Sequence, residues 1–262
     1  MTAAGWLTGD RSLRFVRDGF LVIPQVIEQA QVAAAASTAR RAWTARGCAA
    51  GWGSIRPDPH DASVLGNLLL GGDTTQLIAE FLPAGYRASP QLAVTVGPTA
   101  QPIRPHLDGP LDGHGSGVPA IFSLLVGVLL TDQEDADDGN LWVWQGSHLL
   151  AAEFFRIHGP SALTTAQRYP DVRLEGCAPA QIRGSAGDVV VASYLLGHAA
   201  GGSTAGTWRA TAYFRLRTHG LASRWQRSIL DPFAEFSPLI VQAAAETADR
   251  KPPDEVERAS GY

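Results

Sequence analysis

Two histidines and one carboxylate stand where extended backbone could bring them to a single ion. In Arg104-Pro-His106-Leu-Asp108-Gly109, His106 and Asp108 are two apart, so on extended chain the imidazole and the carboxylate point the same way and can share a metal. His198 follows the strand-like run Gly187-Asp-Val-Val-Val-Ala-Ser-Tyr194 and precedes the small-residue turn Ala199-Ala-Gly-Gly202. From there it can supply the third ligand of a two-His, one-carboxylate facial triad. Each piece alone has a plainer explanation: a solvated loop histidine beside a turn aspartate, or a hydrogen-bonded core histidine. Arg209 lies within the next strand-like run. A buried guanidinium is costly unless it meets an anion, and its fork fits a carboxylate in bidentate fashion, whether that carboxylate is an internal Asp or Glu or a ligand.

Positioning these groups requires strands. From residue 90 onward short β-type runs alternate with Gly, Pro and Asp, the texture of a sandwich or barrel: Gln91–Val96, Ile121–Leu130, Leu141–Gln145, Val189–Tyr194 and Trp208–Leu216. Strand alternation places Arg209, Thr211 and Tyr213 on one face, the geometry of a cupped site. Upstream, the Ala-rich segment Ile27–Ala45 predicts a helix, and so does Ser63–Phe81, with Ser63 or Asp61 as cap and a break at Gly71-Gly72. The segment after Leu221 reads as helical and then polar, with a poorly ordered end from Lys251. Trp142 and Trp144 share a strand face and are expected to fill the core.

With 262 residues, no repeat and no linker, one domain is the simplest organisation: 11–85 mainly helical, 90–217 the β core and 221–262 a helical tail. A hydrophobic fraction of 45% against 18% charged residues excludes a disordered body. The net charge of -4 offers no basic surplus for a phosphate backbone, so a small-molecule partner is expected rather than nucleic acid. Cys48 and Cys177 are the only cysteines, which fits a reduced compartment and two inert thiols. The longest apolar run, Val118–Leu130, is too short for a bilayer and carries Pro119, Ser123 and Gly127. The chain opens on Gly5, Asp10 and Arg11 rather than on a basic segment followed by an apolar one, so a cytoplasmic protein is expected.

The ordered set of His-x-Asp, the hairpin Gly139-Asn-Leu-Trp-Val-Trp-Gln-Gly-Ser-His148, Gly-Asp-Val-Val-Val with a distal His, and then Arg resembles the phytanoyl-CoA dioxygenase-like family. Phe15-Val-Arg-Asp-Gly19-Phe20-Leu-Val-Ile-Pro24 is similar to that family's N-terminal signature, so the resemblance spans residues 15 to about 217. The resemblance implies a mainly β, α+β fold: a double-stranded β-helix, or jelly roll, with N- and C-terminal helices packed on one sheet. It also implies an iron(II)- and 2-oxoglutarate-dependent dioxygenase that uses O2, releases succinate and CO2, and hydroxylates an unactivated C–H bond of a small organic molecule. His106, Asp108 and His198 would bind iron, and Arg209 the distal carboxylate of 2-oxoglutarate. A carboxylate at position 108 argues for oxygenation over halogenation, because related halogenases vacate that place for chloride.

Where family members often carry a Ser beyond the distal His, this chain has Ala200; Thr95, Thr211 and Tyr213 are the hydroxyls that could replace it at the co-substrate. Where the family's hairpin usually has Pro, this chain has Gln145, and His148 reads as structural. The glycine-rich stretch Gly109–Val118 is expected to form a loop at the site mouth, with His114 touching substrate, and Ala151–Ala180 is long enough to hold a lid. No basic cluster suggests a coenzyme A pocket. Two rival readings are a jelly-roll metal-binding protein without turnover, and a cupin-like enzyme that does not use 2-oxoglutarate and pairs Arg209 internally.

Overall fold

A computed structural model describes residues 5–47, 50–82, 85–100, 104–108, 118–165, 174, 176–204 and 206–249. Cys48, residues 109–117 with His114, and the residues from Lys251 onward lie outside the described residues. The chain begins with helix α1 (Gly9–Asp18), whose N-terminus is capped by the Thr8 hydroxyl accepting from the Arg11 amide. Gly19 ends α1 at φ 82°, and a Cβ there would lie 2.6 Å from His148 Nδ1, so only glycine serves. Strand β1 (Phe20–Ile23), α2 (Gln29–Ala45) and β2 (Gly51–Ile55) follow.

Helices α3 (Pro59–Leu70) and α4 (Gly72–Phe81) meet at Gly71, where the sequence predicts the break. The cap differs from expectation. Asp58 accepts from the Asp61 amide, and Pro59 occupies the first turn where its missing N–H costs nothing, so the helix starts ahead of Ser63. The rest of the chain supplies β3 (Tyr86–Val96), β4 (Leu124–Leu129), β5 (Leu141–Trp144), α5 (Ser147–His158), α6 (Ala162–Thr165), β6 (Pro179–Gln181), β7 (Val189–Ser193), β8 (His198–Ala200), β9 (Trp208–Thr218), α7 (Leu221–Leu230) and α8 (Pro238–Asp249).

The result is an α+β protein with two antiparallel sheets, one of six strands in the order β1-β7-β4-β9-β3-β2 and one of three in the order β6-β5-β8. Single bridges join His106 to His198 and Thr99 to Ser203, so the His-x-Asp segment lies beside β8.

Alternation divides the large sheet between two cores. Leu92, Val94, Val126, Val128, Val191, Ala212 and Phe214 face the helices and pack with Phe15, Leu65, Ile78, Phe81 and Ile240. Leu125, Leu129, Val190 and Ala192 face the small sheet and pack with Leu141, Val143, Phe155 and Leu195. Strands covered on both faces explain the unbroken apolar runs of β4 and β7. Phe15 anchors the helical side, edge-on to Phe81 and Phe236 at 5.1 Å each; truncating so buried a ring costs about 3–5 kcal/mol. On β5 Leu141 and Val143 pack into the core between the sheets; Trp144 is buried as expected, whereas Trp142 is half-buried and packs over Gly201, which corrects the expectation for that residue. Among the described residues no helix is long and apolar enough to cross a membrane.

Candidate metal centre and anion pocket

The inner face of the large sheet, opposite β8, carries a cavity of about 330 Å³. His106 and His198 reach it from neighbouring extended segments tied by reciprocal main-chain hydrogen bonds, His106 N to His198 O at 3.0 Å and His198 N to His106 O at 3.3 Å. Their rings stand 4.6 Å apart. Asp108 lies two residues beyond His106 on the same side, with Oδ1 3.5 Å from His106 Nε2 and Oδ2 3.6 Å from His198 Nε2. One donor atom from each of the three lies within 4.8 Å of the others.

The protonation chemistry of this cluster suits a cation. His198 Nδ1 donates to the Leu196 carbonyl at 2.9 Å, which turns the Nε2 lone pair toward Asp108. A lone pair facing a carboxylate repels it unless a proton or a metal ion intervenes. Burial disfavours the charge of Asp108, yet its bonding to His106 and His198 and the charges of His198 and Arg215 outweigh that cost and hold the carboxyl well below the ordinary range. Burial likewise opposes a proton on His198, but Asp108 prevails and raises the imidazole above its usual value. His106 is half-exposed and His198 almost fully buried, so the cluster is backed by protein and open on one side, as a facial triad with free positions requires.

The second part of the site is built on β9. Its register puts Thr95 opposite Arg209, Ala93 opposite Thr211 and Gln91 opposite Tyr213, all on the cavity side. Arg209 is 3% exposed; its Nε donates to Gln133 Oε1 at 2.7 Å, and its Nη2 lies 3.5 Å from the Thr211 hydroxyl. The Tyr213 phenol lies beside the guanidinium and the Thr211 hydroxyl. Among the described residues no carboxylate lies within ion-pair distance of Arg209, and Asp138 attracts it only at longer range. Burial disfavours the charged guanidinium and lowers its proton affinity. Thr95 adds a fully buried hydroxyl with no hydrogen-bond partner. A charged fork lining the cavity, with an orphaned hydroxyl beside it on the neighbouring strand, is what a carboxylate ligand would satisfy.

The structure thus brings together His106, Asp108 and His198, and beside them Arg209, Thr95, Thr211 and Tyr213, with Ala200 on the cavity wall. His148 stands apart, fully buried at the start of α5, where its Nε2 donates to the Val16 carbonyl at 3.0 Å. Two residues with a role at the site escaped sequence reasoning. Gln133, in the loop after β4, orients Arg209 and donates to the Thr211 hydroxyl at 3.0 Å. Arg215 donates to Asp108 from Nε at 3.0 Å and from Nη2 at 2.6 Å, and to Gln91 from Nη1. The period-two face of Arg209, Thr211 and Tyr213 runs on to Arg215, so that signal was present; Gln133 sits in a polar turn that offers none.

No protein-family model matches the chain, and no curated protein matches it in sequence. Solved structures do match in fold. HygX from Streptomyces hygroscopicus, crystallised with nickel and 2-oxoglutarate, has a TM-score of 0.59 at 16% identity, covering 82% of this chain and 88% of its own. SnoN, a non-haem α-ketoglutarate-dependent epimerase of nogalamycin biosynthesis, has a TM-score of 0.57 at 19% identity, covering 82% of this chain and 87% of its own. SnoK, the α-ketoglutarate-dependent carbocyclase of the same biosynthesis, has a TM-score of 0.55 at 21% identity, covering 80% of this chain and 83% of its own. What the chain shares with these proteins, at this level of identity, is the fold.

Proposed function

We propose that this chain is a non-haem iron(II)- and 2-oxoglutarate-dependent dioxygenase built on a double-stranded β-helix core, a single oxygenase unit acting in the cytoplasm. One observation carries the reading: a two-His, one-carboxylate cluster and a buried arginine lacking a carboxylate partner share one cavity. Of the readings considered, the cupin-like one requires an Asp or Glu on Arg209, and among the described residues none is within reach.

In this reading His106, Asp108 and His198 hold iron(II), and Arg209 takes the distal carboxylate of 2-oxoglutarate. Iron(II) held there with 2-oxoglutarate would supply O2-dependent oxidation of a substrate C–H bond, with succinate and CO2 as co-products. The protein's share is placement and dryness. The Leu196 carbonyl fixes the His198 tautomer, and Gln133 holds the Arg209 fork in the cavity. Burial keeps the Tyr213 phenol protonated, so it serves beside Thr95 and Thr211 as a hydroxyl donor where Ala200 offers none. Ala93, Leu125 and Leu141 line the same cavity and limit water.

The substrate is a small organic molecule of specialised metabolism, held at the open side of the cluster, with hydroxylation as the default outcome. The fold-level neighbours include an epimerase and a carbocyclase, and HygX has been crystallised with hygromycin B, so the same C–H chemistry can end differently on this scaffold. The test is succinate formation from 2-oxoglutarate by the iron-loaded protein in air. Slow conversion is expected without added substrate, and Asp108→Ala should abolish it; full conversion by that variant would remove Asp108 from the metal site.

A further inference from the structure

The three putting-together elements of the metal cluster are not equally anchored. His106 and His198 are fixed by the reciprocal main-chain bonds between their own residues, whereas Asp108 lies two residues beyond that bridge. What holds its side chain is Arg215. Two donors of one guanidinium, Nε at 3.0 Å and Nη2 at 2.6 Å, converge on the same oxygen, Oδ2. The remaining nitrogen, Nη1, donates to Gln91 Oε1, and Gln91 Nε2 in turn donates to the Ser54 hydroxyl. A line of side chains therefore runs from edge strand β2 through β3 and β9 to the carboxylate.

The geometry points to Arg215 as a positioning residue that keeps Asp108 a one-oxygen ligand of the metal. This rests on the reading of His106, Asp108 and His198 as metal ligands. Oδ2, with both lone-pair directions taken by N–H groups, is a poor metal donor; Oδ1 accepts nothing from Arg215 and stays available. A carboxylate freed from this clamp can turn or chelate through both oxygens, and the second oxygen then fills a position that 2-oxoglutarate or O2 needs. Gln91 and Ser54 supply the rear anchor, because a guanidinium held at one end only would pivot with the carboxylate it is meant to fix. Arg215 is thus distinct from Arg209 on the same strand face: one guanidinium is satisfied by a ligand of the metal, the other awaits an anion.

The experiment loads cobalt(II) into wild type, Arg215→Met, Arg215→Lys, Gln91→Leu and Asp108→Ala, and records the visible ligand-field spectrum, which responds to coordination number. The iron(II) forms are then titrated anaerobically with 2-oxoglutarate. Arg215→Met is expected to bind the ion with an altered cobalt spectrum and to need about 10-fold or more 2-oxoglutarate for half-formation of the chelate band. Arg215→Lys, which keeps the charge and loses the fork, should recover part of that difference, and Gln91→Leu should show a smaller change of the same kind. Should Arg215→Met not fold, Gln91→Leu decides. A cobalt spectrum and a 2-oxoglutarate midpoint equal to wild type in the Met or the Leu variant would overturn the assignment. A wild-type spectrum no different from that of Asp108→Ala would instead overturn the metal reading beneath it, and the assignment with it.

Discussion

His148 offers a prediction whose size follows from its surroundings. Its Nε2–H is spent on the Val16 carbonyl, and its Nδ1 lone pair is buried against Gly19 with no partner. A second proton would bring charge into a site with no acceptor for it, and burial accordingly lowers the imidazole from the ordinary 6.5 to about 4, the Val16 bond and Asp18 offsetting only part of that cost. In the unfolded chain His148 takes up its proton as pH falls through 6.5; in the folded chain it resists until about 4. Between those values the unfolded state binds more protons, so stability falls with pH and levels off below about 4, a total of about 3 kcal/mol. Urea unfolding of wild type and His148→Gln at a series of pH values from 7 to 4 isolates this contribution, because the other titrating groups are the same in both proteins. The variant should start lower and slope less, with most of the difference in slope above pH 4.5. Parallel profiles would refute the argument. Because His148 lies outside the three-donor cluster, His148→Gln should also bind iron as wild type does.

Two further substitutions probe the anion pocket. Gln133→Leu removes the acceptor of Arg209 Nε, so it should cost about 1.5–3 kcal/mol in urea unfolding. With the fork unanchored, about 10-fold or more 2-oxoglutarate should be needed, as read in the iron(II) titration. Gly139→Ala puts a methyl 3.1 Å from Thr95 Oγ1 and 3.2 Å from Arg209 Cδ at φ 74°, so it should cost about 1 kcal/mol or more and weaken 2-oxoglutarate in the same titration. An unchanged midpoint in both variants would dissociate this corner of the cavity from co-substrate binding.

The site was more legible than its supports. His106 and Asp108 could be paired because a spacing of two on extended chain fixes a common side, and Arg209, Thr211 and Tyr213 because strand alternation does the same. His198 stood out as a polar residue closing an apolar run. Gln133 and the link from Ser54 through Gln91 to Arg215 depend on contacts across strands distant in sequence, which no local pattern encodes. Strand β2 was missed because Gly51-Trp-Gly-Ser lacks apolar alternation: Gly53 lies on Trp43, and the strand is held by its register with β3. The start of α3 is set by Asp58 and Pro59, a stronger start signal than the Ser63 or Asp61 cap that the sequence suggests. Helices α2, α4 and α7, strands β3, β4, β5, β7 and β9, and the break at Gly71 follow from periodicity and glycine placement, whereas α5 lies in a stretch that reads only as the end of a hairpin and a long connection.

The central claim is that this cavity binds iron(II) and 2-oxoglutarate together, and it can be tested before any substrate is known. Iron(II) and then 2-oxoglutarate are added anaerobically to metal-free protein, wild type and Arg209→Met, and the visible charge-transfer band of the chelate is followed. The account predicts a band in wild type and, with a charge-assisted pair worth about 2–5 kcal/mol removed, a requirement for roughly 30-fold or more 2-oxoglutarate in the variant. No band despite bound iron, or a band with the same 2-oxoglutarate dependence in both proteins, would contradict it.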